Sequence, residues 1–148
     1  NNEQDFIKIG YEKFDSIIAI NVLEHVENDE FAIKELYKML KNEGTLIILV
    51  PCHKFLYNDI DAKVGHFRRY SKVDLEFKVK KTHFKIAKIF YFNMLGILGW
   101  YINGNLIKSS TVSPTATKIF DRITPLSRFS ERILRRKVGL SLICFLRK

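Results

Sequence analysis

Two short stretches hold the side chains best suited to chemistry. Glu24 and His25 are neighbours, and His66, Arg68, Arg69 and Tyr70 crowd positions 66–70. An imidazole titrates near neutral pH and can take a proton from a nucleophilic oxygen or nitrogen. Glu24 and His25 therefore read as a coupled acid–base pair, with His66 a further catalytic candidate. His25 would serve equally as a hydrogen-bond anchor for a local turn. A guanidinium presents a planar donor fork matched to carboxylate or phosphate, so Arg68, Arg69 and Tyr70 are expected to contact substrate. The alternative is a structural lid in which one Arg pairs with Asp61 and Tyr70 enters the core. His25, His53, His66 and His83 lack metal-ligand spacing, and no metal is expected. Cys52 and Cys144 form no CxxC and read as two reduced thiols.

These side chains need elements to position them. Phe14–Ile20 is a nearly continuous apolar run with β-branched residues. Such a run fits a strand buried on both faces, as in a parallel sheet. Asn28 or Asp29 can cap a helix carrying Ala32, Leu36, Met39 and Leu40 at helical spacing. Gly44 then offers a left-handed turn position, and Thr45–Val50 is a second apolar strand stopped by Pro51. Strand, helix, strand is a right-handed βαβ unit. Residues 52–70 show no period and form a long connection, a kind of segment that tends to be a lid or binding loop.

Ser71 with Asp74 resembles a capping box. Alternation of Val73, Leu75, Phe77 and Val79 argues for a strand there, but the cap and the Leu75/Val79 spacing decide for a helix. Lys85–Phe92 reads as a third strand. Met94–Ile107 is apolar, shorter than the roughly 20 residues a membrane span needs, and is expected as a buried or interfacial helix. Residues 109–117 read as a Ser/Thr/Pro linker, 118–136 as a basic helical segment broken at Pro125, and Val138–Leu146 as the last strand.

The chain has 148 residues and is 47% hydrophobic, with twelve Phe and six Tyr, enough for one packed domain and too apolar for a disordered tail. Charge is divided unevenly. Residues 1–60 carry 6 Lys/Arg against 11 Asp/Glu, a net −5, and residues 61–148 carry 19 against 5, a net +14. The basic half suggests an acidic partner, whether nucleic acid, an anionic lipid or a phosphorylated substrate, and would equally be a solvated basic surface of a Lys-rich protein. No RNA- or DNA-binding motif is present, so nucleic acid is not expected. Residues 1–13 lack the apolar stretch of a signal peptide. A cytoplasmic location is expected, with peripheral membrane contact as the variant that the basic half allows.

Read together, Phe14-Asp15 followed by Asn21-Val22-Leu23-Glu24-His25-Val26 resembles the fourth strand and following loop of class I S-adenosylmethionine-dependent methyltransferases. Leu40-Lys41-Asn42-Glu43-Gly44-Thr45-Leu46 is similar to the turn into their fifth strand, with Asn42 and Glu43 in place of Pro and Gly. Gly65-His66-Phe67-Arg68-Arg69-Tyr70-Ser71 is similar to a phrase of one bacterial subgroup, as are Tyr91-Phe92-Asn93, Phe120-Asp121-Arg122 and Gly139-Leu140-Ser141-Leu142. The resemblance runs from about residue 14 to the end.

It implies an α/β, Rossmann-like methyltransferase fold in part: strands four to seven with flanking helices, the last strand antiparallel. It implies S-adenosyl-L-methionine as cofactor, with Asn21, Val22 and Leu23 lining its cleft; otherwise Val22 and Leu23 are helix-packing residues. The acceptor would be small or lipid-linked and anionic. The family's Gly-rich first loop and its ribose-holding acidic residue have no counterpart in the sequence. The chain thus reads as the C-terminal part of such a domain, its cofactor-gripping part lying outside these residues, and as inactive alone. The fourth strand would then have a bare edge, open to self-association. Two other readings stand beside this one: a non-catalytic basic module for anionic membrane or another acidic partner, and a degenerate remnant.

Overall fold

The computed structural model describes residues 9–102 and 137–148, with isolated positions 104 and 122. Four strands form one sheet in the order β1-β2-β4-β3: β1 Phe14–Ile20, β2 Leu40–Pro51, β3 Lys85–Phe92 and β4 Ser141–Arg147. β1 and β2 are parallel, and β4 runs antiparallel to both β2 and β3. The expected antiparallel last strand is therefore present, inserted between β2 and β3.

Leu46, Ile48 and Val50 of β2 face Leu146, Cys144 and Leu142 of β4 as cross-strand partners, and all six are fully buried. On this face pack Ala32 and Ile33 of helix α1, Asp29–Met39, and Leu75 and Val79 of helix α3, Lys72–Lys80. Burial of a Leu- or Ile-sized side chain contributes about 1.5–3 kcal/mol, so this layer dominates the described core.

α1 starts where Asn28 Oδ1 accepts the Phe31 N–H at 3.1 Å, leaving Asp29 free for other work. α3 has the capping box in full: Asp74 N donates to Ser71 Oγ at 3.1 Å and Ser71 N to Asp74 Oδ2 at 3.3 Å. The cap thus prevails over the strand-like alternation, because two otherwise orphaned N–H groups are satisfied only in the helical form.

Two expectations are corrected. β1 is not buried on both faces: Ala19 is buried, but Ile18 and Ile20 are 63% and 55% exposed. β1 is the edge strand, paired with β2 alone among the described residues, and its Ile17/Ala19 side packs with the core. Gly44 does not make the left-handed turn either. Glu43 adopts it, with φ 62°. Gly44 is needed for close approach instead, since a Cβ there would meet the Lys41 carbonyl oxygen at 2.8 Å.

The connection 52–70 is more ordered than its lack of period suggests. Its ends are tied, Cys52 bridging to Tyr70 and His53 N donating to Tyr70 O at 2.9 Å. Within it lie a 3₁₀ turn, Lys54–Leu56, and helix α2, Asp59–Lys63, opened by a capping box between Asn58 and Asp61. Helix α4, Met94–Tyr101, follows a left-handed Asn93 whose carboxamide accepts the Gly96 N–H at 2.9 Å. The expected linker at 109–117 and the basic segment at 118–136 lie outside the described residues, apart from the single position 122. No described helix is long and apolar enough to cross a membrane.

Candidate functional site

At the carboxyl end of β1 the chain turns sharply. Asn21 is left-handed, φ 51°, and its N–H is held by the Leu49 carbonyl at 2.9 Å. A 3₁₀ turn over Leu23–His25 follows. This turn splits the sequence-predicted residues by direction. Asn21 and Val22 are exposed and remain available to a ligand, as is His25. Leu23 is 1% exposed and packs in the core, so its side chain lines no cleft; a 3₁₀ turn that sends one residue out must send a neighbour in.

Glu24 also points inward. It is fully buried, and neither carboxylate oxygen has a hydrogen-bond partner. Burial pushes its carboxyl above the ordinary carboxylate value of 4.5, against smaller lowering effects that include the charges of His66, His25 and Arg69.

The loop 52–70 brings His66 to this place. Its Nε2 lies 3.9 Å from Glu24 Oε1, and its ring meets the His25 ring edge-on with centroids 4.6 Å apart. Phe67 N donates to the Glu24 carbonyl at 2.8 Å, which locks the loop onto the turn. His66 Nδ1 is 2.7 Å from Asp61 Oδ1, and His25 Nδ1 is 3.2 Å from the Gly65 carbonyl. Glu24, His25 and His66, each a catalytic candidate from sequence, thus form one cluster. Of the four histidines, the fold brings His25 and His66 together, although they are 41 residues apart in sequence.

Asp61 is the pivot beneath the cluster. It is fully buried and takes Arg69 Nε on both oxygens, at 3.0 and 2.9 Å, besides His66 and the Asn58 N–H at 3.1 Å. Arg69 also donates to the Cys52 carbonyl at 3.2 Å and lies 4.6 Å over the Trp100 ring. Arg69 is 3% exposed and Tyr70 1%. The Tyr70 hydroxyl sits 2.7 Å from Asp29 Oδ2 and 3.1 Å from the Leu23 carbonyl. The expected substrate contacts at Arg69 and Tyr70 are therefore corrected: both are interior groups that fix the loop to the sheet. Arg68 is partly exposed, its guanidinium anchored by the Glu27 carbonyl at 2.6 Å and Asp29 at 3.2 Å.

Asp29 is a buried hub that sequence reasoning treated only as a possible cap. It collects Tyr70, Arg68 and Lys78, the last at 2.7 Å. Its position one residue after Asn28 was the available signal: once Asn28 caps, a second acid in the first turn is free to pair elsewhere. A groove lined by Lys34, Tyr37, Lys38, Lys81, Thr82 and His83 lies away from the cluster. Two of its cations are already paired, Lys38 with Glu35 and Lys81 with Glu30.

Residues 3–48 match the family model described as a methyltransferase domain. A crystal structure of an S-adenosylmethionine-dependent methyltransferase from Archaeoglobus fulgidus superposes with TM-score 0.58 at 17% identity, over 100% of this chain and 65% of that one. One from Mesorhizobium loti gives 0.59 at 12%, over 93% and 63%. The chain has the fold of the class I methyltransferases. Among curated relatives, (S)-coclaurine N-methyltransferase of Papaver somniferum is 34% identical over 55 residues, 35% of this chain and 16% of that protein. Probable polyketide synthase 42 of Dictyostelium discoideum is 32% identical over 89 residues, 60% of this chain and 3% of that protein. The chain thus spans under two thirds of these solved structures and a small part of the curated proteins. Its order β1-β2-β4-β3 supplies the half-sheet that the family resemblance implied, with the Glu24–His25–His66 cluster at the carboxyl end of β1, where open α/β sheets take ligands.

Proposed function

We propose that this chain forms the acceptor side of an S-adenosylmethionine-dependent methyltransferase, with a small or lipid-linked anionic acceptor. The observation that carries the reading is the cluster of Glu24, His25 and His66 at the carboxyl end of β1. The residues present fit one wall of a cofactor site: Asn21 offers an exposed carboxamide and Val22 an exposed apolar side chain beside the open edge of β1. Bound S-adenosylmethionine supplies an activated methyl on sulfur, so positioning accounts for much of the rate. His25 is the exposed base for an acceptor proton. Its Nδ1 carries a hydrogen, because the Gly65 carbonyl can only accept, and Nε2 is the atom left to take the proton. Arg68, partly exposed and held by Glu27 and Asp29, is the guanidinium set to meet an acidic group on the acceptor.

The basic half, +14 over residues 61–148, supports the anionic character of the acceptor and a peripheral contact with anionic membrane. The rival reading of a purely binding module rests on that charge alone and leaves a buried, unpartnered Glu24 unexplained. We place the rest of the cofactor grip on a Gly-rich strand–loop that this sequence does not hold. The 148-residue chain alone should therefore bind S-adenosylmethionine at millimolar strength or weaker: micromolar affinity is worth about 8 kcal/mol, and three missing hydrogen bonds, some to charged groups, remove roughly 3–6.

The test is transfer of labelled methyl from S-adenosylmethionine into lipid and water-soluble fractions by the protein that carries this chain, wild type against His25→Ala. Label in neither fraction rejects methyl transfer. Full labelling by His25→Ala rejects the base.

A further inference from the structure

We propose that Glu24, His25 and His66 form a binding site for one divalent transition-metal ion of the zinc or cobalt type. One ligand atom from each residue lies within 4.8 Å of the others. The set is two imidazoles and a carboxylate, donors matched to zinc and its first-row neighbours.

Three features argue that the cluster is built for an ion and is not an accident of crowding. The first is Glu24 itself. A fully buried carboxylate with both oxygens unpartnered is costly, and native proteins retain such a group where something else completes it. His66 does not complete it, because 3.9 Å from Nε2 to Oε1 is beyond hydrogen-bond reach. A cation between them would.

The second feature is the outer shell. Asp61 is tied to Arg69 and accepts from His66 Nδ1; the Gly65 carbonyl accepts from His25 Nδ1. Neither acceptor can donate, so Nδ1 carries the hydrogen in both rings and Nε2 is left as the lone-pair atom. A carboxylate or backbone carbonyl behind each imidazole is the arrangement that orients metal-ligating histidines.

The third feature is access. Glu24 is buried, His66 is partly covered with its side chain 12% exposed, and His25 is exposed, so the ion would bind from the solvent side. Three protein ligands on one side leave a coordination position open, as in catalytic and not in structural zinc sites.

At metal–ligand distances near 2.0–2.1 Å, neighbouring donors in a tetrahedral set stand about 3.4 Å apart. The widest pair must close by up to about 1.4 Å, a move open to the exposed His25, and His66 and Glu24 by about 0.5 Å. The site does not depend on methyl transfer. An ion there would take the same His25 Nε2 lone pair that the base needs, so it would act as a Lewis acid toward an oxygen-bearing acceptor in place of that base; only this use of it rests on the acceptor-side reading given above.

The experiment is a titration of the chelator-treated chain with Co²⁺, followed by visible absorption and by the melting temperature, then displacement by Zn²⁺ against a chromophoric chelator. One Co²⁺ per chain, displaced by Zn²⁺, with a rise in melting temperature, is expected. His25→Ala, an exposed position that leaves the core intact, and the isosteric Glu24→Gln should each weaken binding by at least tenfold and abolish the rise. Absence of binding by the folded wild type overturns the site. Binding that both variants retain overturns it equally, since the ion then sits elsewhere. Methyl-transfer activity enters neither outcome, so failure here is separable from failure of the acceptor-side reading.

Discussion

Replacing Arg69 by Met tests whether the loop 52–70 is held to the sheet by a buried ion pair. The pair is close and dry: Nε lies 2.9 and 3.0 Å from the two Asp61 oxygens, with side chains 1% and 0% exposed. Removing one partner of such a pair strands the other charge, at about 3–5 kcal/mol. Asp61 would keep His66 Nδ1 and the Asn58 N–H, which argues for the lower end, about 3 kcal/mol. For a chain of this size each kcal/mol moves the melting temperature by roughly 2–4 °C, so Arg69→Met should melt roughly 6–12 °C below wild type. Arg68→Met is the internal comparison. Arg68 is partly exposed, and Asp29 retains Lys78 and Tyr70 without it, so about 1 kcal/mol is expected. Asp61→Asn added to Arg69→Met should recover part of the loss, because no charge is then stranded. Calorimetric or denaturant unfolding of wild type, Arg69→Met, Arg68→Met, Asp61→Asn and the double variant measures all of this. A loss below about 1 kcal/mol for Arg69→Met, or a double variant carrying the sum of both losses, would refute the buried-pair account and return Arg69 to the list of substrate contacts.

The remaining expectations are local. Lys54, first, and Ser71 hold the Asp74 carboxyl below its ordinary value of 3.8, so its stabilisation is present above 3.8 and is lost as pH falls through the lower folded value; Asp74→Asn should flatten that part of the acid-unfolding curve. Ser71→Ala removes the α3 cap and should cost about 1 kcal/mol in chemical unfolding. Burial pushes the Cys52 and Cys144 thiols up to about 12, so neither should react with a thiol reagent at neutral pH until the chain is unfolded by urea. The 148-residue chain should self-associate through β1, whose Ile18 and Ile20 are exposed on an edge strand, and Ile18→Lys should shift light scattering toward monomer; an unchanged profile would place the contact elsewhere.

What was legible in the sequence follows a physical division. Local signals read true: the apolar run Phe14–Ile20, the Asn28 cap, the Ser71/Asp74 box and Lys85–Phe92 each depend on neighbours within a few residues, and each is an element of the fold. Burial read less well, because it depends on what packs against an element. β1 has the composition of an interior strand and sits at an edge. Arg69 and Tyr70 have the composition of a binding loop and sit inside, because Asp61 and Asp29 are buried with them. A sequence shows that an arginine is present; only the fold shows that an aspartate already occupies it.

The same division explains the cluster at residues 24, 25 and 66. Glu24 and His25 are adjacent in sequence, yet the 3₁₀ turn sends one into the core and leaves the other in solvent, so they approach the site from opposite sides. His66 reaches them because the loop closes on itself at Cys52 and Tyr70 and because Phe67 N grips the Glu24 carbonyl. Arg69 and Tyr70, lost as substrate contacts, are what make that closure rigid: one neutralises Asp61, which orients His66, and the other reaches Asp29 and the Leu23 carbonyl, which anchors the turn. The residues that looked like ligand contacts thus act one layer further back. They hold the His66 imidazole 3.9 Å from the buried Glu24 carboxylate.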